Sequence, residues 1–280
     1  MPSPQKAPSS KDLVQDMRPL RLRHLKLPAF RLLVSVYDAF NKIEQRPSPN
    51  PKTKTKHLRL ITILYSHYCE KGRWALELLE DDPTTPYYFT EDCHPPGFHF
   101  FETVRASKDQ GSVTPMVIVS DTDEAILKST DIIRRLMPSL YPTEEVSQLE
   151  ELYNQELGAA VRIWLYDLIL TDEFWPMLVS ISKYGCAWIE TALFPYMQGR
   201  ILGNLRKSLA ITQETSQLSK DTLRRVFADA SKRLESRDYL AGNEFSAADL
   251  TFCALSSPLL RPPELAKFQC PDAELPPDAL

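Results

Sequence analysis

Leu58-Arg-Leu-Ile-Thr-Ile-Leu64, then Tyr65-Ser66-His67-Tyr68-Cys69, then Glu70-Lys-Gly-Arg-Trp-Ala-Leu-Glu-Leu-Leu79 follow one another without a break. The first stretch is mostly apolar and β-branched, which predicts an internal strand. In the third, Trp74 and Leu78, and Ala75 and Leu79, recur at helical spacing. The five residues between are polar or aromatic. The reading is strand, turn, helix.

Working outward, Pro86 to Thr90 predicts a second short strand and Phe98 to Ala106 a weaker helix or loop. Gly111-Ser-Val-Thr-Pro115 leads into a strand at Met116-Val-Ile-Val-Ser120. Asp121 to Glu124 supplies a turn, Ala125-Ile-Leu127 a further strand, and Ser129 to Met137 a helix. A βαβ unit followed by a hairpin and a helix is the order of the thioredoxin-like fold. Beyond Pro138 to Pro142 the pattern changes class. Glu144 to Leu170, Trp175 to Ile201 and Leu218 to Leu234 are long and helix-patterned, with no strand signal between them. That switch predicts a boundary near residue 141. Ser246 with Asp249 three residues on has capping-box spacing, with the Ser oxygen set to accept the orphan N–H of residue 249. Phe245 and Leu250 are placed for a hydrophobic staple. The helix so started is expected to end near Ser257, before Pro258. The fold class is thus α/β plus all-α, with 1–57 a basic extension, 58–138 the thioredoxin-like domain, 143–260 the helical domain and 261–280 a Pro-rich tail.

Eight glycines stand against 23 prolines, many of them near the two ends. Residues 1–57 carry 12 Lys+Arg and 4 Asp+Glu, a local +8, which leaves −12 for the rest of a chain whose total is −4. A basic groove for nucleic acid is therefore not expected in the folded part. Five cysteines without paired spacing read as reduced thiols, and no pair has zinc spacing; Cys93-His94 with His99 is a poor metal candidate, so no metal is expected. No secretory signal is visible, and Phe174 to Met197, interrupted by Lys183 and Glu190, reads as core helix rather than a membrane span. Arg21 to Ile43 is read as a docked helix or disorder, with a targeting or membrane-surface segment as the sharper alternative.

Three separated features resemble the glutathione transferase family. Ser66-His-Tyr-Cys69-Glu-Lys-Gly-Arg73-Trp-Ala-Leu76 is similar to its active-site segment. Val113-Thr114-Pro115 resembles the turn whose proline is cis in thioredoxin-like proteins. Ser129-Thr-Asp-Ile-Ile133 resembles the family's Glu-Ser-x-x-Ile segment, with Lys128 where the family has Glu. Tyr239-Leu-Ala-Gly242 and the Ser246–Asp249 cap look like the helical domain's folding element. Together they span about residues 58–260.

The chemistry that resemblance implies is activation of the glutathione thiol, glutathione being a co-substrate. Ser66, at a helix N-terminus, would hydrogen-bond the sulfur, and the helix dipole would favour its negative charge. Lowering a thiol pKa by about two units takes about 2.7 kcal/mol. Cys69 competes, as the site of a mixed disulfide in thiol-transferase or reductase chemistry, or is simply a buried packing residue. Val113 would offer backbone N–H and C=O to an extended peptide beside the Thr114–Pro115 bond, and Ser129, with Lys128, would hold the γ-glutamyl carboxylate. Plain helix caps are the bland readings of Ser66 and Ser129; His67 is either a polar neighbour of the sulfur or an exposed turn residue.

A small hydrophobic electrophile would sit between the domains, against His67, Arg162, Trp164, Tyr166 and Asp167, although core and surface positions on a packed helix explain the last four equally. Only about 22 residues follow Pro258, which predicts an open pocket or impaired activity. The alternatives are a reductase using Cys69 and a non-catalytic scaffold of the same fold. A cytoplasmic detoxification enzyme, possible homodimer included, is the expected setting, with an organelle as the alternative through the N-terminal extension.

Overall fold

The structure is a computed structural model and describes residues 54–63, 65–108, 113–181 and 185–260. The expectations for Arg21 to Ile43 and for the Pro-rich tail fall outside these residues.

Strand β1 (Lys56–Thr62) runs through the middle of a four-stranded sheet of order β2-β1-β3-β4. It pairs in parallel with β2 (Tyr87–Cys93) and antiparallel with β3 (Met116–Val119), which pairs antiparallel with β4 (Glu124–Leu127). This is the thioredoxin-like arrangement. Alternation along β1 sorts its side chains. Leu58 and Leu60 are buried against Leu76 and Leu79 of helix α1 (His67–Asp81) and Ile132 of helix α3 (Ser129–Leu136). Arg59 lies on the other face, paired with Glu102 of α2 (His99–Ala106), so the weak helix signal at Phe98 to Ala106 resolves as a helix.

The rest is helical. Helix α4 (Glu144–Leu152) passes through a π turn at Tyr153–Leu157 into α5 (Gly158–Ile169), together the predicted helix from Glu144 to Leu170. The helix expected from Trp175 to Ile201 is instead broken. It becomes α6 (Trp175–Ile181), α7 (Trp188–Leu193), a 3-10 turn at Phe194–Met197 and α8 (Gln198–Ser208). Gly185 at φ +71° leaves helical geometry, and Pro195 opens the 3-10 turn, which explains the breaks. Helix α9 (Gln213–Leu234) starts five residues earlier than the apolar pattern indicates, because Thr212 and Thr215 form a reciprocal cap.

Helix α10 (Ala247–Leu260) carries Pro258 inside it, two residues short of its end, so that proline does not stop the helix where expected. Its cap also differs from the expectation. The Ser246 hydroxyl donates to Asp249 Oδ2 at 2.7 Å, and the Asp249 carboxylate accepts from the backbone N–H of Ser246 at 3.0 Å and of Leu240 at 2.8 Å. Asp249 is therefore the acceptor that ties the Tyr239–Gly242 turn to the helix start. Phe245 stays 41% exposed and stands edge-on to Tyr239.

The main helical core, around Tyr153, Leu157, Val161, Trp164, Leu223, Leu250 and Leu255, takes in Ala75 of α1 and Ile133 of α3, so sheet layer and helices share one interior. Two polar seams reinforce the join. Lys71 of α1 and Glu150 of α4, both fully buried, are 2.6 Å apart; Lys71 also reaches Thr130 Oγ1 and Asn154 Oδ1. At the other end of the sheet, the ring of His94 meets Asp92 and, at 2.9 Å, Glu190 of α7.

Candidate functional site

Ser66 is the residue before α1, with extended backbone (φ −83°, ψ 117°) and no side-chain capping bond. The plain-cap alternative is thus not what its hydroxyl does. Cys69 lies one turn further on and is fully buried, and its Sγ receives the Ile63 backbone N–H at 3.4 Å. Burial pushes its thiol pKa up, against the smaller pull of Ile63, Ser66, Arg73 and Thr114. A cysteine that turns over as a catalytic nucleophile needs the opposite: an exposed sulfur and a lowered pKa. Cys69 fits the packing alternative.

The cis Thr114–Pro115 bond lies against α1. A Cβ on Gly72 would come within 3.1 Å of Pro115 Cβ and Cγ, so glycine lets the helix and the turn touch. Val113, before that turn, is 37% exposed. The Pro115 carbonyl accepts from the Lys128 N–H at 3.0 Å, which joins the turn to the start of α3. Lys128, not Ser129, is the capping residue, and its φ of +70° with ψ 144° is a strained conformation for a side chain of this kind. Ser129 follows as the first residue of α3, buried to 4% exposure. Ser66, Thr114, Pro115, Lys128 and Ser129 therefore line one edge of the sheet layer, where two helices of 15 and 8 residues begin. Arg73, one turn beyond Cys69, fixes the neighbouring strand: its Nε donates to Glu91 of β2 at 2.9 Å, and it also pairs with Glu70.

His67 is not an exposed turn residue. It is 3% exposed, and its Nε2 lies 3.0 Å from the Gly158 carbonyl of α5. Burial first, and the Arg162 charge second, lower its pKa to about 3, so the ring is neutral. Arg162 places its guanidinium 5.5 Å from the centre of the Tyr68 ring, and its buried Nε has no hydrogen-bond partner among the described residues. Tyr166 is half-buried; burial raises its phenol pKa and Arg162 opposes that rise. Trp164 belongs elsewhere: it is 1% exposed within the helical core, so it lines no pocket. Asp167 pairs with Arg206 at 3.4 Å. Of the five residues named for an electrophile, His67, Arg162 and Tyr166 come together.

The broken helical segment changes the surroundings of this seam. Leu178 of α6, Phe194 and Leu202 of α8 form a cluster against which Tyr65, Phe98 and Tyr166 pack. A layer supplied from within the chain thus flanks the residues after β1. Sequence reasoning also missed Tyr68, whose hydroxyl donates to the Asn154 carbonyl at 2.9 Å. A Cβ on Gly158 would meet that hydroxyl at 2.5 Å. The isolated glycine within a helical pattern was the available signal. Among the described residues there is no group of three or more His, Cys, Asp or Glu side chains able to hold a metal, and no helix long and apolar enough to cross a membrane.

No protein-family model matches the chain, and no curated protein matches it. Solved structures do show similarity. A glutathione S-transferase-I bound with lactoylglutathione is 18% identical at TM-score 0.47, over 75% of this chain and 88% of that one. The glutathione S-transferase CsGST63524 of Ceriporiopsis subvermispora, in complex with glutathione, is 14% identical at TM-score 0.44, over 71% and 85%. The glutathione transferase URE2P8 from Phanerochaete chrysosporium, with oxidised glutathione, is 12% identical at TM-score 0.45, over 77% and 86%. At these identities and scores the likeness carries no inference about chemistry.

Proposed function

We propose that this chain binds glutathione at the edge formed by Ser66, the Val113–Pro115 turn and Ser129, and joins its sulfur to a small hydrophobic electrophile. The observation that carries the reading is the Ser66 side chain, which stands at the start of a 15-residue helix without capping it. A hydroxyl at a helix N-terminus, beside the free backbone amides of the first turn, favours a thiolate bound there. The Val113 backbone supplies extended-chain contacts to the peptide, and the α3 N-terminus at Ser129, with Lys128 beside it, supplies the carboxylate site. The electrophile lies against Arg162, Tyr166 and the Tyr68 ring, with the buried, neutral His67 ring packed on Tyr68. Cytoplasmic location, a role in detoxification and pairing into homodimers belong to the same proposal.

Removal of the Ser66 hydroxyl separates this from disulfide reduction by Cys69. Ser66→Ala is expected to lower kcat/KM for conjugation by about 100-fold or more, with the bound thiol titrating at higher pH, while Cys69→Ser keeps conjugation near its starting level. The reverse pattern, with disulfide reduction lost in Cys69→Ser alone, assigns the chemistry to Cys69.

A further inference from the structure

Cys93 closes β2, and its backbone forms an isolated parallel bridge with Cys186, in the segment that leads into α7. Bridge partners in neighbouring chains lie about 4.8 Å apart, within the span of about 4.4–6.8 Å that a disulfide requires between Cα atoms. The side chains meet as well: Cys186 packs in a small cluster with Cys93 and Ile181. A Cβ at Gly185 would lie 3.5 Å from both Cβ and Sγ of Cys93, so Cys93 sits in contact distance of the 185–186 chain, its sulfur also lying 3.3 Å from Thr62 Oγ1 of β1. Both thiols are free, Cys93 being buried and Cys186 half-buried. Cys186 is thus the sulfur that a solution oxidant reaches first, with Cys93 behind it.

We infer that Cys93 and Cys186 are a redox-modification site, closing to a disulfide that staples the α6–α8 layer to the edge of the sheet. The oxidant is a small-molecule disulfide such as oxidised glutathione. The Cys186 thiolate attacks one of its sulfurs, forming a mixed disulfide and expelling one thiolate. The Cys93 thiolate then attacks Cys186 Sγ, forming the protein disulfide and expelling the second. Two protein thiols are oxidised, one external disulfide is reduced to two thiols, and the two protons pass to the departing thiolates. Burial raises both protein thiol pKa values, so the exchange is slow at neutral pH.

The layer so stapled carries Leu178 and Phe194, which pack against Tyr65 and Tyr166 beside the candidate site. Closure therefore restrains the wall of that site without touching Ser66. The inference stands whether or not the site binds glutathione.

The test incubates the full chain for hours at pH 8.5 with oxidised glutathione, removes the reagent, and maps the peptides without reduction. The expected result is a Cys93–Cys186 linked peptide and thiol titration in denaturant falling from five to three, both reversed by dithiothreitol. Trypsin cleavage at Arg200, Arg206 and Lys207 should slow by about tenfold or more. Cys186→Ser, a change at a half-buried position, should retain its four remaining thiols and show no slowing. Free Cys93 and Cys186 after oxidation, pairing of either with Cys253, or equal slowing in Cys186→Ser overturns the inference.

Discussion

Single atoms decide several features of the site. The Tyr68 hydroxyl occupies the space where a side chain at Gly158 would begin. Gly158→Ala is expected to destabilise the protein by about 1–3 kcal/mol through overpacking, despite a gain of about 1 kcal/mol in helix propensity. Thermal unfolding reads the loss, and adding Tyr68→Phe, which removes the clashing oxygen, should restore part of it. No recovery would mean that the crowding lies elsewhere. The places of Ser66, Val113, Thr114, Pro115, Lys128 and Ser129 at the junctions between elements were legible from periodicity, while their role in holding glutathione comes from the family resemblance and belongs to the proposal. His67 was misread because exposure depends on what packs above it, and nothing near residue 67 announces the Gly158 carbonyl 91 positions away.

At the scale of elements, α1 is held from both sides: its apolar face by the sheet and its far side by α4 and α10. The buried Lys71–Glu150 pair lies within that join. Burial lowers the Lys71 pKa to about 8 against the pull of Glu150, so the lysine depends on its partner. Lys71→Met removes the buried cation of Glu150 and leaves it the longer Arg134 contact at 3.4 Å; the loss should cost about 3–5 kcal/mol by denaturant unfolding, much of it recovered in Lys71→Met with Glu150→Leu. Equal destabilisation by the double variant would show that the pair is not what matters there. Strand and helix order in the sheet layer could be read from periodicity alone. The α6–α8 region could not, because its apolar run from Trp175 to Ile201 reads as one helix until Gly185 and Pro195 are given their backbone geometry. Helix α10 shows the opposite error, since Pro258 is accommodated near a helix end.

For the whole molecule, three buried histidines contribute to the dependence of stability on pH. Burial alone would lower His94, but the carboxylates of Asp92 and Glu190 outweigh it and raise its pKa to about 10. A raised pKa contributes stability that is full below the unfolded value of about 6.5 and is lost as pH rises toward 10. Burial lowers His67 and His99 to about 3; their contribution is full above about 6.5 and is lost as pH falls toward 3. Stability should therefore peak near neutrality. Denaturant unfolding from pH 4 to 10 tests this, with His94→Gln expected to flatten only the alkaline limb; an unchanged limb would remove His94 from the account.

The most direct test of the central claim is calorimetric titration of the full chain with glutathione and, separately, with the dipeptide Cys-Gly, which lacks the γ-glutamyl group. Saturable binding of glutathione at about 1 mM or tighter, one per chain, weakened by Ser129→Ala and absent for the dipeptide, is the expected result. No heat from glutathione, or equal binding of both peptides, would contradict it.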